Sequence, residues 1–313
     1  MTAMTLLEAA KEAAGQGDTV KAGVMAMYAE RSDILAAMTF EGIMGGAVKF
    51  TQEGDLPTTA FRKINEGFTP NNGSLNPQVE SLFAAGGDLD VDTFILDTQG
   101  EGVRARHVGM KSKALAVGIT DAILKGDNST DPSQFDGFQK RATGGQLIDN
   151  GTTSGGAALS LKKLDELIDS VDGPTHLIMN RTMRRKFQAA MRSSTSGVGS
   201  NVMLTTDPFG KPQLSYNNLP ILVGYPQNKN TRILPFTEAA YSGGATASSI
   251  YCVNFGADAV RGINNPGMQV RDLGELQDTP AKRTRVTWNV GLLVPSEFYL
   301  ARLRYIGDLD IAA

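Results

Sequence analysis

The chain has 313 residues, of which 41% are hydrophobic and 20% are charged, and its formal net charge at pH 7 is -3. This balance is typical of a folded globular protein and excludes an intrinsically disordered chain, while the lack of a basic excess gives no sign of a protein that reads nucleic-acid sequence. No apolar run approaches the ~20 residues that a bilayer requires, and the first residues lack a signal-peptide pattern, so we expect no membrane contact and synthesis in the cytosol.

The first segment, residues 5–38, is rich in Ala, Met, Glu and Lys, and it has helical stretches without one long apolar stripe. A helix buries a face in its own core only where apolar residues recur at helical spacing. We therefore predict an N-terminal arm, over residues 1–44, that rests on another surface.

Residues 45–67 predict a β-hairpin. Two β-favouring runs, 47–51 and 58–64, flank a connection that contains Gly, Asp and Pro. Turn residues between two such runs are a hairpin signal, although this connection is longer than the tight two-residue type. An isolated hairpin with few large apolar side chains is marginal in water, so this one requires a partner surface.

Residues 99–125 predict one long helix that ends at Gly126. Apolar side chains recur there at spacings of three, four or seven, as expected for one helical face: Val103, Met110, Ala114, Val117 and Leu124. Three glycines each weaken the helix by up to ~1 kcal/mol relative to alanine: Gly102, Gly109 and Gly118. We expect another backbone to pass close to these glycines.

Residues 159–255 alternate helix and strand signals. Two amphipathic helices are predicted, the first capped by Ser160 and the second by Asn180, with these apolar residues facing inward: Leu161, Leu164, Ile168, Val171, Met183, Phe187 and Met191. The predicted strands lie at 176–179, 219–224, 232–235 and 249–255. This order predicts a compact α/β module with a mixed sheet.

The last segment has strand signals throughout. Apolar and polar residues alternate over 283–292 and over 297–306, as expected for half-buried strands. In the second run we expect Arg302 and Arg304 on the face opposite Leu303.

Residues that could perform chemistry are few. His107 and His176 are the only histidines, and Ser160 with Lys163 matches a nucleophile pattern whose companion motifs are absent. The single cysteine, Cys252, lies in an apolar run and is expected to pack as a small hydrophobe. We therefore predict no catalytic residues, no cofactor and no metal site, and expect that the protein is not an enzyme.

A basic cluster lies on the second predicted helix and is expected to point largely outward: Arg181, Arg184, Arg185, Lys186 and Arg192. A solvated helix face is the simplest interpretation. A contact with another subunit or a weak contact with phosphate remains open, with Arg181, Arg184 and Arg185 as the candidate residues.

The order of these parts resembles one known family. Residues 56–66 look like the returning strand of an extended loop in the major capsid proteins of tailed double-stranded DNA bacteriophages, and 90–92, 123–127 and 135–138 are similar too. The resemblance implies an α+β protein with the Hong Kong 97-like phage capsid fold. In that fold an N-terminal arm, an extended β-hairpin loop, a peripheral domain with a long spine helix and an α/β axial domain follow one another.

The resemblance also implies domain boundaries. The segments are the N-terminal arm (1–44), the extended loop (45–67), the peripheral domain (68–158, with the spine helix at about 99–125), the axial domain (159–264) and C-terminal strands that complete the peripheral domain (265–313).

The function that the resemblance implies is self-assembly, through pentamers and hexamers, into the icosahedral head that encloses the phage genome. The expected partners are further copies of the chain, a portal, a decoration protein and a separate scaffolding protein, with weak nonspecific contact to packaged DNA. The expected location is the virion capsid, assembled in the host cytoplasm.

The extended loop supplies the expected contacts between subunits: Lys49, Phe50, Leu56, Pro57, Phe61, Arg62 and Lys63. Some members of the family cross-link a loop lysine to an asparagine of a neighbour, but the sequence does not place the asparagine or the catalytic carboxylate, so we do not extend that chemistry to this chain. Two alternatives stay open: the shell protein of an encapsulin-like nanocompartment, and a soluble α/β enzyme.

Overall fold

The structure is a computed structural model that describes residues 3–53, 57–192, 202–206, 210, 212–223, 233–265 and 267–311. Within these ranges the helices are α1 (Leu6–Gly15), α2 (Thr19–Arg31), α3 (Asp33–Ala37), α4 (Thr93–Gln99), α5 (Gly102–Lys125), α6 (Phe138–Arg141), α7 (Leu161–Asp169) and α8 (Arg181–Arg192).

The strands of the described residues fall into three sheets. They are β1 (Met4–Thr5), β2 (Thr39–Gly42), β3 (Ala47–Glu53), β4 (Leu75–Ser81), β5 (Phe83–Asp92), β6 (Leu147–Asp149), β7 (His176–Met179), β8 (Val202–Thr206), β9 (Pro212–Tyr216), β10 (Leu219–Val223), β11 (Glu238–Ala240), β12 (Gly243–Val253), β13 (Arg261–Asn264), β14 (Gln269–Glu275), β15 (Ala281–Leu293) and β16 (Leu300–Ile306).

Polar caps divide the N-terminal segment into three short helices. Thr5 and Glu8 form a capping box at the start of α1. Asp18 and Ser32 cap α2 and α3 by accepting hydrogen bonds, at 3.1 and 3.3 Å, from the backbone N–H three residues later. These breaks change the direction of the chain, which explains why the sequence shows no single apolar stripe.

In the described residues this segment rests on the body of its own chain, and the N-terminal arm over residues 1–44 stays a prediction. Its helices pack into the core of their own chain, where Leu6, Met25, Tyr28 and Leu35 are buried. Burial of these four side chains contributes about 1.5–3 kcal/mol each, which is enough to hold short helices against the body.

The first sheet has the strand order β1-β2-β13-β15-β14, and β5 pairs with β15 as well. Side chains of α2 and α5 share a core with this sheet. Trp288 of β15 lies at its centre, with its ring centroid 5.8 Å from that of Tyr28 and 5.0 Å from that of Phe40.

The second sheet has the order β6-β16-β12-β7-β10-β9-β8, with β11 paired to β12. Its central strands are buried on both faces. Successive side chains of a strand point to opposite sides of the sheet, so each of these strands contributes residues to two cores. Ile178 and Tyr251 join the core of the first sheet, whereas Leu177 and Cys252 join a second core that contains Leu164 and other residues of α7 and α8. The sheet is therefore the middle layer of the molecule, and the predicted α/β module with a mixed sheet is confirmed.

The third sheet is a two-stranded hairpin, and it corrects the predicted pairing. A hairpin is present, but β3 pairs with β4, in register from Ala47 opposite Ser81 to Glu53 opposite Leu75. Residues 58–64, predicted as the returning strand, contain no strand. Their β propensity is a weak preference that tertiary pairing overrides.

The long helix is confirmed as α5, but the prediction about its glycines is wrong. No backbone passes within 4 Å of a Cβ placed at Gly102, Gly109 or Gly118 among the described residues. The close approach lies just beyond the helix, where a Cβ at Gly126 would be 2.3 Å from the carbonyl oxygen of Phe135.

The C-terminal strands are confirmed as β15 and β16, but they do not join one sheet. β15 lies in the first sheet and β16 pairs with β12 in the second. The predicted strand at 232–235 is wrong for 233–235, which form a bend; residue 232 lies outside the described residues. The boundaries of the five predicted segments stay a prediction.

Candidate subunit-contact surface

The β3–β4 hairpin forms a sheet of its own and is anchored to the body through the first half of β3. Seven paired residues give it a length of about 24 Å. At the base Val48, Phe50 and Leu82 pack against a small buried cluster that includes Ile263 and Leu293. Further along the hairpin, Gln78 lines a groove that it shares with Glu297 and Leu300 of the body.

An ion pair fixes the base of the hairpin from the side of β4. The Arg141 guanidinium donates two hydrogen bonds to the Glu80 carboxylate, at 2.6 and 2.8 Å, and one to the carbonyl oxygen of Asp136 at 2.8 Å. Paired hydrogen bonds of this kind restrict the angle between the groups. The hairpin therefore leaves the body in a defined direction.

Residues 57–74, which we call the exposed loop, connect the two strands of the hairpin. They contain no helix or strand and every one of them is exposed. Phe61 and Ile64 show 108% and 90% of the reference accessible surface of their residue types, and Phe68 is exposed as well. Three large apolar side chains close together in solvent are a mark of an interaction surface.

The predicted contact residues do not all lie on this surface. Pro57, Phe61, Arg62 and Lys63 lie on the exposed loop and Lys49 is exposed on β3. Phe50, in contrast, is half-buried in the anchor at the base, and Leu56 lies outside the described residues.

Sequence reasoning missed other apolar residues of the same surface. Ile64 lies within the predicted loop but was not selected, and Phe68, Leu75 and Val79 lie beyond its expected end at residue 67. The Pro-Asn-Gly stretch after Phe68 indicates a loop, and only the pairing of β3 with β4 shows that this stretch belongs to the hairpin.

The basic cluster on α8 does not form one outward face. Arg181 and Arg185 are exposed, but Arg184 is half-buried and close enough to Asp33 to affect its carboxyl group. Lys186 pairs with Asp308 at 2.6 Å, and its side chain is only 14% exposed. The prediction that this cluster points outward is wrong for Arg184 and Lys186, since the helix packs closely on two sides; nothing is described for the side chain of Arg192.

Buried groups with altered acidity are scattered rather than gathered. Burial lowers the pKa of His176 to about 4 and raises the pKa of the Cys252 thiol to about 12. Burial also raises the pKa of Asp33, at the start of α3, to about 7. Cys252 is fully buried, which confirms its role as a small packing residue.

The described ranges hold neither grouped metal ligands nor a membrane-spanning helix. Within them no three His, Cys, Asp or Glu side chains are grouped so that they could hold a metal ion. No helix in the same ranges is long and apolar enough to cross a membrane.

Comparisons with known proteins bear on the fold. No protein-family model and no curated protein sequence matches the chain. The chain is similar to a solved structure of the holo-SrpI encapsulin complex from Synechococcus elongatus, with a TM-score of 0.65 and 16% identity over 90% of this chain and 89% of that chain.

Phage-type structures are similar over the same extent. The capsid of an empty GTA particle gives a TM-score of 0.59 and 10% identity over 88% of this chain and 90% of that chain. A structure from Microbacterium phage Oxtober96 gives 0.61 and 12%, over 87% and 90%.

Likeness at such low identity concerns the fold and leaves function to be argued from the site. It covers about nine-tenths of each chain, and the architecture is the mixed α and β one described above. The predicted fold is therefore confirmed: the chain has the Hong Kong 97-like capsid fold.

Proposed function

We propose that the chain is a major capsid protein, which assembles into the icosahedral head around the double-stranded DNA of a tailed phage. The observation that carries this proposal is the exposed loop, which presents Phe61 and Ile64 at the end of an anchored hairpin. Large apolar side chains in this position do not stabilise a monomer, whereas a second subunit removes them from water.

The physics of a closed shell suits this design. Subunits arranged in rings of five and six need a rigid body and an extension that reaches a neighbour. Each subunit gives one loop and receives one, so modest pairwise affinities add up over the shell. The proposed partners are further copies, a portal, a decoration protein and a separate scaffolding protein, with assembly in the host cytoplasm.

Contact with the packaged DNA is proposed to be weak and nonspecific. The net charge of -3 gives no general attraction to phosphate. Arg181 and Arg185 are the exposed cations of α8 that could touch a phosphate or a neighbouring subunit. We propose no catalytic activity for the chain.

A nanocompartment shell is the second candidate, and the likeness to an encapsulin over 90% of the chain favours it. Genes for a terminase and a portal beside the gene of this chain support the phage head. A neighbouring gene for a cargo enzyme supports the nanocompartment. A soluble α/β enzyme, the third alternative, would need a convergent acid, base and nucleophile.

The test replaces residues 54–74 by an Asn-Gly turn, which joins the last pair of the hairpin, Glu53 and Leu75, and keeps β3 and β4 paired. The matched control is Phe94→Ala, which removes another exposed phenylalanine, on α4 and outside the hairpin. We expect both variants to unfold at the temperature of the unmodified protein, because neither change reaches the core.

The two variants should differ in their ability to assemble. In electron micrographs the F94A protein should form shells, and the loop-replacement protein should remain as unassembled subunits. Shells of normal size from the loop-replacement protein would contradict the proposed role of the exposed loop.

A further inference from the structure

The sequence contains two Asn-Gly pairs, Asn72-Gly73 and Asn150-Gly151. An asparagine followed by glycine can lose its side-chain amide, because the backbone nitrogen of the next residue attacks the side-chain carbonyl carbon. Glycine favours this attack, since it has no side chain to obstruct the approach and its backbone adopts many conformations. The two pairs have the same local chemistry, so their surroundings decide whether they react.

The first pair lies in the exposed loop, where the fold does not restrain it. Asn72 and Gly73 are both exposed and belong to no helix or strand. Within the described part of the chain no hydrogen bond holds the Asn72 side chain or the Gly73 amide, whereas the side chain of Asn71 donates to the Thr58 hydroxyl at 2.6 Å. Exposed loops sample many backbone conformations. The Gly73 nitrogen can therefore reach the Asn72 side chain.

The second pair is held in place by the fold. Asn150 is only 7% exposed, and its side-chain amide donates to the carbonyl oxygens of Ala157 and Ala158 at 3.2 and 2.8 Å. Its side-chain oxygen accepts from the Ser160 N–H at 2.9 Å. Attack at Asn150 must break these bonds, which requires a local opening of the structure and costs free energy.

We propose that Asn72 is a modification site at which the chain converts its own asparagine to aspartate or isoaspartate. The Gly73 nitrogen gives up its proton and bonds to the Asn72 side-chain carbonyl carbon, which releases ammonia and leaves a succinimide ring. Water then opens the ring at either carbonyl. Overall one water is consumed and one ammonia is released, and no oxidant or reductant takes part.

The modification changes both the charge and the backbone of the exposed loop. Residues 57–74 carry two cations, Arg62 and Lys63, and one anion, Glu66. A new carboxylate, which is ionised at neutral pH, cancels their net positive charge. Isoaspartate also lengthens the backbone by one atom, close to Leu75 at the start of β4. The reaction belongs to the single subunit, so it takes place whether or not the chain forms a shell.

Peptide mapping by mass spectrometry tests the proposal on the unmodified protein. After incubation at neutral pH, the peptide that contains Asn72 should show the mass increase of an amide converted to an acid. An isoaspartate-specific methyltransferase should label the same peptide. The conversion should be at least about tenfold faster than that of Asn150, which reacts only after local opening. Conversion at Asn72 that is no faster than at Asn150 would overturn the proposal.

Two alanine substitutions test the role of the attacking nitrogen. G73A places a methyl group beside that nitrogen and restricts the backbone, so it should slow the conversion of Asn72 at least about tenfold. The matched control is G67A in the same exposed loop, where an added Cβ meets no atom within 4 Å. Neither glycine is buried, so both variants should fold like the unmodified protein.

The G67A protein should convert Asn72 at the rate of the unmodified protein. An unchanged rate in the G73A protein, or equal slowing in both variants, would overturn the proposed attack by the Gly73 nitrogen. A rate that rises with pH is expected as well, because this nitrogen must lose its proton. A rate that falls as the pH rises from neutral would contradict the same step.

Discussion

Asp33 makes the stability of the subunit depend on pH. Its carboxylate accepts hydrogen bonds from the backbone N–H groups of Ile34 and Val223, so it ties α3 to the end of β10. Burial raises its pKa from about 4 to about 7, against the opposing effects of these bonds and of nearby Arg184. The folded protein therefore keeps a proton that the unfolded chain releases above pH 4.

Stability from this group is fully present below about pH 4 and is lost as the pH rises through about 7. A pKa difference of about three corresponds to up to about 4 kcal/mol. We expect Asp33→Asn to flatten this part of the pH profile of the unfolding free energy, measured by chemical denaturation. An unchanged slope between pH 4 and 7 would show that Asp33 is not the group responsible.

A buried ion pair should contribute more to the free energy of unfolding, when one partner is removed, than a solvent-exposed pair does. Arg302 donates to the Glu238 carboxylate at 2.8 Å and to Ser249 at 2.9 Å, and the two charged side chains are 11% and 9% exposed. The sequence predicted Arg302 on the face of the last strand opposite Leu303, and in the structure β11 supplies Glu238 as its partner. Only the tertiary pairing of β11 with β12 reveals this partner.

We expect Glu238→Gln to lower the free energy of unfolding by about 3 kcal/mol, because the buried Arg302 charge loses its counterion. The control Arg285→Ala breaks the solvent-exposed pair with Asp88 and should leave the unfolding midpoint nearly unchanged, since water solvates the remaining charge. Equal losses in both variants, measured by urea denaturation, would contradict this ranking.

At the scale of elements, two glycines at α5 have opposite roles. A Cβ at Gly126 would lie 2.3 and 2.5 Å from the backbone oxygens of Phe135 and Ala122, whereas a Cβ at Gly118 meets open space. The amide of Gly137 donates to Gly126 O at 2.8 Å, so the loop after α5 returns closely over the end of the helix.

Gly126→Ala should therefore destabilise the isolated subunit by about 1–3 kcal/mol, because backbone atoms must move. Gly118→Ala should stabilise it by about 0.5–1 kcal/mol through helix propensity. Thermal unfolding of the unassembled subunits checks both signs. A destabilising G118A substitution would mean that a neighbouring group occupies the space beside Gly118 in the subunit.

Helices and strands whose apolar residues recur at a regular spacing could be predicted from the sequence. Strands that form only because a neighbouring strand pairs with them could not. α5, α7, β7 and β15 follow apolar patterns that packing enforces. β5 is rich in Gly, Ala and Asp, which disfavour strands, yet it pairs with β15 over ten residues.

The candidate site divides in the same way. Phe61 could be selected from the amino-acid sequence, because residues 56–66 resemble the extended loop of phage major capsid proteins. The strand that returns from the exposed loop could not, since β4 is defined by its pairing with β3.

At the scale of the whole molecule, two of the three sheets form the body and the third forms the hairpin. The first and second sheets share a core through residues such as Ile178, so they form a body that resists deformation. The hairpin lies outside that core and packs against the body through a small cluster of its own. Stability of the subunit and its assembly should therefore respond to different substitutions, which the loop replacement described above tests.

Electron microscopy of the purified protein tests the central claim most directly. The protein is examined alone and after coexpression with any scaffolding protein that is encoded beside it. A capsid subunit with an exposed loop should give closed shells or rings of five and six subunits in at least one of these preparations. A single small oligomer of uniform size in every preparation, with a substrate-sized pocket, would contradict the account.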